Sequence, residues 1–132
     1  MKIKRFSPKQ RRIMGWWGPK SADRHHDAII CDGAVRSGKT LCMGLSFVCW
    51  AMASFQGQQF AFCGKSVVSL RRNLLQELLP VLRETGFQCR EKRSENLLTV
   101  GRGGRENRFY LMGGKDEGSA AFIQGVTLAG VL

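Results

Sequence analysis

Gly33-Ala34-Val35-Arg36-Ser37-Gly38-Lys39-Thr40 fits the phosphate-binding pattern G-x-x-x-x-G-K-[ST] at every fixed position. A polyphosphate needs close backbone approach, several inward N–H donors and a cation, and this spacing supplies all three. Gly33 and Gly38 let the loop turn without Cβ clashes, Lys39 sets a positive charge against the β and γ phosphates, and Thr40 offers a hydroxyl to Mg²⁺. The pattern has physical meaning only where a buried strand enters the loop and a helix leaves it. Both flanks comply: Asp27 to Asp32 is an apolar run of strand length, and Leu41 to Phe55 is apolar without proline. A strand over Asp27–Asp32 and a buried helix over Leu41–Phe55 are therefore expected.

The chain has 132 residues, enough for one small domain with a core but short for a complete nucleotide-hydrolysing domain. Its 21 Lys+Arg against 10 Asp+Glu give a net charge of +11, which favours polyanionic partners such as DNA, RNA or nucleotide. The five cysteines (Cys31, Cys42, Cys49, Cys63, Cys89) form no C-x-x-C pair and sit mostly in apolar runs, as reduced thiols of a cytosolic protein do. Met1 to Lys20 is basic and lacks the apolar core of a secretory signal. Thr40 to Phe55 is uncharged but shorter than the ~20 residues of a membrane span, so no membrane partner is expected.

Ser7-Pro8-Lys9-Gln10 reads as a helix start, with Ser7 as N-cap, Pro8 at the first helical position and Gln10 three residues after the cap; the helix runs to about Trp17. Gln10 has two candidate roles: it bonds the Ser7 backbone, or its amide reads an adenine edge, and the sequence alone favours the cap. Trp16 and Trp17 read as packing residues rather than stacking platforms, and His25-His26 as a solvated pair. Phe60 to Cys63 is a second buried strand, followed by a helix from about Val67 to Leu79 or a little beyond, which Pro80 ends or kinks. Arg71, Arg72 and Asn73 near its start read as a solvated face before a phosphate contact.

Phe87–Arg90, Leu97–Val100 and Arg108–Met112 are short strands separated by polar turns, and Gly101 to Asn107 forms a hairpin with a basic tip. Arg102, Arg105 and Arg108 suit a phosphate contact and an ordinary exposed tip equally. A helical turn is expected at Ser119 to Ile123, then a buried strand from Val126 to Leu132, in which the sequence stops. The fold class is α/β: a P-loop NTPase core of the ASCE/RecA-like kind with a mainly parallel sheet, an added antiparallel hairpin, and strands missing.

The order of Ser7-Pro8-Lys9-Gln10, Gly33 to Thr40, Gly64-Lys65-Ser66 with Leu70-Arg71-Arg72-Asn73, Gly113 to Glu117, and Gln124 to Val131 resembles the large terminase subunit of tailed DNA phages, especially the PBSX-type family. The likeness covers nearly the whole chain. It implies that residues 1–132 are the N-terminal part of an ATPase domain belonging to a motor that packages double-stranded DNA into procapsids. It also implies ATP and Mg²⁺ as cofactors, with Gly33, Ala34, Val35, Arg36, Ser37, Gly38, Lys39 and Thr40 as the phosphate cradle, Thr40 at Mg²⁺, and Gln10 at adenine.

Lys39 and Arg36 become the catalytic candidates, Arg36 as a charge stabiliser during hydrolysis. Further implied are a terminase small subunit, a portal protein and a homo-oligomeric motor as partners, in the host bacterial cytoplasm. The family's Asp-Glu pair closes the strand resembling Val126–Leu132 and lies past Leu132, as do its coupling segment and nuclease domain; Asp116-Glu117 sits in a glycine-led loop and does not replace it. Weak nucleotide binding with little hydrolysis is therefore expected of the chain alone. The alternatives are another P-loop ATPase or kinase fragment, and a basic nucleic-acid-binding module whose P-loop is idle.

Overall fold

The computed structural model describes residues 5–33, 38–116 and 125–132. Helix α1 (Pro8–Gly15) precedes α2 (Lys39–Ser54) and β1 (Gln59–Gly64). Helix α3 (Val67–Leu70) runs through a π-helical turn (Arg71–Leu75) into α4 (Gln76–Glu84). Strands β2 (Gln88–Lys92), β3 (Leu97–Arg102), β4 (Arg105–Gly113) and β5 (Gly130–Val131) follow. They form one sheet in the order β2-β3-β4-β1-β5. β1 lies parallel to both β4 and β5, and β2, β3 and β4 are joined antiparallel. The α/β class with a parallel section and an added antiparallel hairpin is thus the observed architecture.

Alternation along the strands sends one row of side chains to the helices. Phe60 stands beside Phe109 and Phe62 beside Leu111, while Leu98 also flanks Phe109. These residues are buried together with Leu45 and Val48 of α2 and Leu78 and Leu82 of α4. Phe47 of α2 closes the layer, its ring 5.7 Å from Phe60, 5.6 Å from Phe62 and 6.0 Å from Phe109. The β3–β4 turn is the pair Gly103-Gly104 at φ 56° and 82°, the left-handed geometry a two-residue hairpin requires.

Two expectations are corrected. The apolar run of residues 27–32 is not a strand: Ile30 is 94% exposed, and the run faces β5 across a cleft of about 520 Å³ floored by Ile13, Phe47 and Trp50. A strand exists only through its hydrogen-bonded neighbour, and among the described residues this run has none. The strand expected over 126–132 shrinks to Gly130–Val131, although Ala129 and Leu132 also donate to β1, at Gln59 O (2.8 Å) and Ala61 O (2.9 Å). Of the two effects expected of Pro80, ending the helix does not occur: the helix continues through it to Glu84. Pro80 lies on the exposed side, and burial of Leu78, Leu79 and Leu82 offsets the ~3 kcal/mol cost of an interior proline. The expected turn at Ser119–Ile123 lies outside the described residues.

Two exposed arginines of the basic hairpin make contacts within the chain. The Arg102 guanidinium lies 4.8 Å from the Phe87 ring centroid, and Arg105 donates to Met52 O (3.3 Å) and Ala53 O (3.0 Å) at the C-terminal end of α2, where a cation complements the helix dipole. Arg108 is exposed. Among the described residues, no helix is long and apolar enough to cross a membrane.

Candidate phosphate-binding site

Helix α1 begins as its sequence dictates. Ser7 Oγ accepts from Gln10 N (3.2 Å) and Gln10 Oε1 accepts from Ser7 N (2.9 Å), a complete capping box. The helix is then fastened to α2, where Ser46 Oγ donates to Ile13 O (2.7 Å), and Trp16 meets Trp50 at 6.4 Å. This docking carries Gln10 to the start of α2: a Cβ on Gly38 would lie 2.9 Å from Gln10 Nε2. The cap and a ligand-facing amide are therefore compatible, since Oε1 serves the helix while Nε2 points at the loop.

Gly38 has φ 81°, and its carbonyl accepts from Cys42 N (3.1 Å), the first bond of α2. Lys39 Nζ donates to Gly33 O, so the two ends of the glycine-rich loop are brought together. Ala34, Val35, Arg36 and Ser37 lie outside the described residues. Gly38→Ala forces a side chain into left-handed backbone and against Gln10; a loss of roughly 1–2 kcal/mol is expected in urea unfolding.

Two clefts border these groups. The larger, about 770 Å³, is lined by Gln10, Gly33 and Lys39 together with Lys9, Arg12 and His26. Across it Arg12 makes a two-pronged bond to Asp23 (2.8 and 2.9 Å), and that hydrogen bond holds the Asp23 carboxyl below its ordinary range. The second cleft, about 510 Å³, meets Thr40 and is rimmed by Lys65, Ser69, Arg72 and Asn73, with no acidic side chain in its lining among the described residues. The P-loop ends and Gln10 thus share one cleft, while Thr40 opens on its neighbour.

Asp116 is placed elsewhere. Its Oδ2 accepts from Val67 N (2.9 Å), so it caps the helix after β1, and Glu117 lies outside the described residues. The residues that spacing did not single out are Lys9, Arg12, Lys65 and Lys115. Their placement depends on how α1 docks and on parallel pairing of β1 with β4, for which no local pattern exists.

The structure superposes on the large terminase of a thermophilic bacteriophage with a TM-score of 0.94 at 44% sequence identity, over 97% of this chain and 32% of that one. The chain belongs to the phage large terminase family. The same thermophilic phage terminase in complex with ADP matches with a TM-score of 0.89 at 44% identity, over 96% of this chain and 31% of that one. Its complex with ATP-gamma-S matches with a TM-score of 0.88 at 41% identity, over 97% and 30%. This terminase chain therefore spans about a third of the length of the solved structures it matches. No family model and no curated protein matches it.

Proposed function

We propose that this terminase chain is the N-terminal part of the ATPase domain of a large subunit that packages double-stranded DNA into procapsids, and that it binds ATP with Mg²⁺ through Gly33–Thr40. The observation that carries the reading is the convergence of Gln10 Nε2, Gly38 and the Lys39–Gly33 bond at the N-terminus of a 16-residue helix, beside a cleft of about 770 Å³. The complexes of the thermophilic phage terminase with ADP and ATP-gamma-S support it.

In this reading the backbone of Gly33 to Gly38 cradles the phosphates and Lys39 exchanges the Gly33 carbonyl for β and γ oxygens. Gln10 addresses the adenine edge through Nε2, and Arg36 stabilises charge during hydrolysis. Thr40, exposed at the start of α2, offers the hydroxyl that would hold Mg²⁺, and the ion would supply charge neutralisation at the phosphate oxygens. Hydrolysis needs a carboxylate to orient water; none lines the Thr40 cleft among the described residues, while Asp32 and the Arg12-bound Asp23 line the cleft of Gln10 and Lys39. The small subunit, the portal, further copies of the chain and the host cytoplasm belong to the same reading.

Titration of the chain with a fluorescent ATP analogue and Mg²⁺ tests it. Lys39→Ala is expected to weaken binding by roughly 10–100-fold, the worth of a charge-assisted phosphate contact, with an unchanged circular dichroism spectrum. Equal affinity for both proteins would remove the P-loop from the reading. DNA binding by a chain that ignores ATP would instead favour the idle P-loop.

A further inference from the structure

We propose that Arg12 and Asp23 are positioning residues for the base end of the nucleotide, a role that rests on the ATP-binding reading. Their two-pronged bond holds helix α1, which carries Gln10, against the segment that leads into the P-loop. Helix α1 has eight residues and buries none of them. A helix this short is marginal on its own, so the place of Gln10 depends on what fastens α1 to its surroundings. On one side that is α2, through the Ser46 Oγ bond to Ile13 O (2.7 Å) and the contact of Trp16 with Trp50. On the other it is Arg12, two positions along the same rigid helix from Gln10.

Asp23 stands on a loop of tight turns. Gly18 N donates to Gly15 O (3.0 Å), Ser21 N to Gly18 O (3.0 Å), His26 N to Asp23 O (3.1 Å) and Asp23 N to Ser21 Oγ (3.1 Å). These bonds are local, so they shape the loop without placing it against α1. Arg12 does the placing, with Nε on Asp23 Oδ2 (2.8 Å) and Nη2 on Oδ1 (2.9 Å). Of the ion pairs among the described residues it is the one with two prongs, and a forked guanidinium–carboxylate pair fixes direction as well as distance. His26 Nε2, 4.0 Å from Asp23 Oδ1, is beyond hydrogen-bond reach.

The pair joins the two walls of the cleft of about 770 Å³. Lys9, Gln10 and Arg12 line it from α1, and Asp23, Ile29 and Gly33 from the segment that runs on into the P-loop. Among the described residues the run of 27–32 has no strand partner, so the sheet does not fix this second wall. The Arg12–Asp23 bond therefore sets how far Gln10 stands from the entry to the loop. The phosphate end is built otherwise: Gly38 opens α2 and Lys39 bonds Gly33 O, contacts that pass through neither Arg12 nor Asp23. Loss of the pair is thus felt at the base and not at the phosphates. An exposed ion pair adds little to stability, so its removal leaves the chain folded.

The test is isothermal titration calorimetry of the chain with ATP and, separately, with inorganic tripolyphosphate, each with Mg²⁺. Tripolyphosphate has the phosphates without the base, so it reports the P-loop alone. Arg12→Gln and Asp23→Asn are each expected to weaken ATP binding by roughly 3–10-fold, the worth of one neutral hydrogen bond, and to leave tripolyphosphate affinity within about twofold. The double variant is expected to lose no more than either single one, because the two side chains act as a unit. The role is overturned if ATP affinity is unchanged in both variants, if the two losses add, or if tripolyphosphate affinity falls in step with that for ATP, as general loosening of the loop would produce. Lys39→Ala separates the two readings, since it weakens both ligands. No binding of either ligand by the unsubstituted chain sinks the ATP-binding reading and this role with it. Lys39-dependent binding that is indifferent to Arg12 and Asp23 sinks this role alone.

Discussion

Phe109→Ala is expected to lower stability by about 3–5 kcal/mol, the range for emptying a fully buried aromatic site. Phe109 has no exposed surface, and its ring is stacked at 5.1 Å on Phe60 and 5.5 Å on Phe62, with Phe47 edge-on above. The neighbours cannot collapse into the gap, because Phe60 and Phe62 are pinned by the β1–β4 ladder on either side of it. The loss therefore includes a cavity as well as the transfer of the ring. Against a total of about 5–15 kcal/mol for a domain, it removes a large share of the stability, and for a chain of this size it lowers Tm by roughly 10–20 °C. Differential scanning calorimetry reads the shift. A drop under about 3 °C would mean that the sheet–helix layer is not packed as described. Phe109→Leu, which keeps most of the volume, is expected to cost about 1–1.5 kcal/mol.

Asn107→Leu should cost about 3 kcal/mol even though it replaces a buried polar side chain with an apolar one of similar size. The Asn107 side chain is completely buried at the start of β4 and serves two segments at once. Its Oδ1 accepts from Gln58 N (3.0 Å), and its Nδ2 donates to Phe55 O (3.0 Å) and Ala51 O (3.3 Å). Ala51 O also accepts from Phe55 N, so it keeps a partner after the substitution, but Gln58 N and Phe55 O lose theirs. Each orphaned backbone group costs about 1–3 kcal/mol, which exceeds the gain from burying a leucine. Urea denaturation measures the difference; a variant as stable as the parent would show that water satisfies those groups. Asn107→Asp tests the polarity, since it keeps the acceptor for Gln58 N but sets a carboxylate oxygen against two carbonyls.

Much of the fold was legible because its signals are local. Ser7 and Gln10 sit three apart, as a capping box needs, and the structure forms that box. The short apolar runs at Phe60–Cys63, Leu97–Val100 and Arg108–Met112, set off by polar turns, became β1, β3 and β4, and the uncharged run after Thr40 became α2. The sign of the charge on the hairpin tip was also readable, but not its use. Arg102 and Arg105, though exposed, are held by Phe87 and by the carbonyl end of α2, which lie elsewhere in the chain.

The strand expected at residues 27–32 shows the limit of such reading. Its apolar pattern is right for a buried strand, yet pattern describes one chain segment, and a strand requires hydrogen bonds from a second. Among the described residues, β5 is separated from it by a cleft instead of bonded to it. Pro80 marks the same limit from the other side: the local rule against an interior proline is outweighed by leucines that pack on α2 and the sheet.

By itself, then, the sequence determined the phosphate-loop motif, the helix caps, the α/β class and the resemblance to large terminases, because these depend on residues a few positions apart or on their order. Tertiary structure alone decided that Gln10 meets Gly38, that Asn107 closes the space between α2 and β4, and that Lys65 and Arg72 share the lining of the Thr40 cleft. Those contacts join residues far apart in the chain, and only helix docking and strand register, set by burial of the Phe47–Phe60–Phe109 layer, bring them within reach.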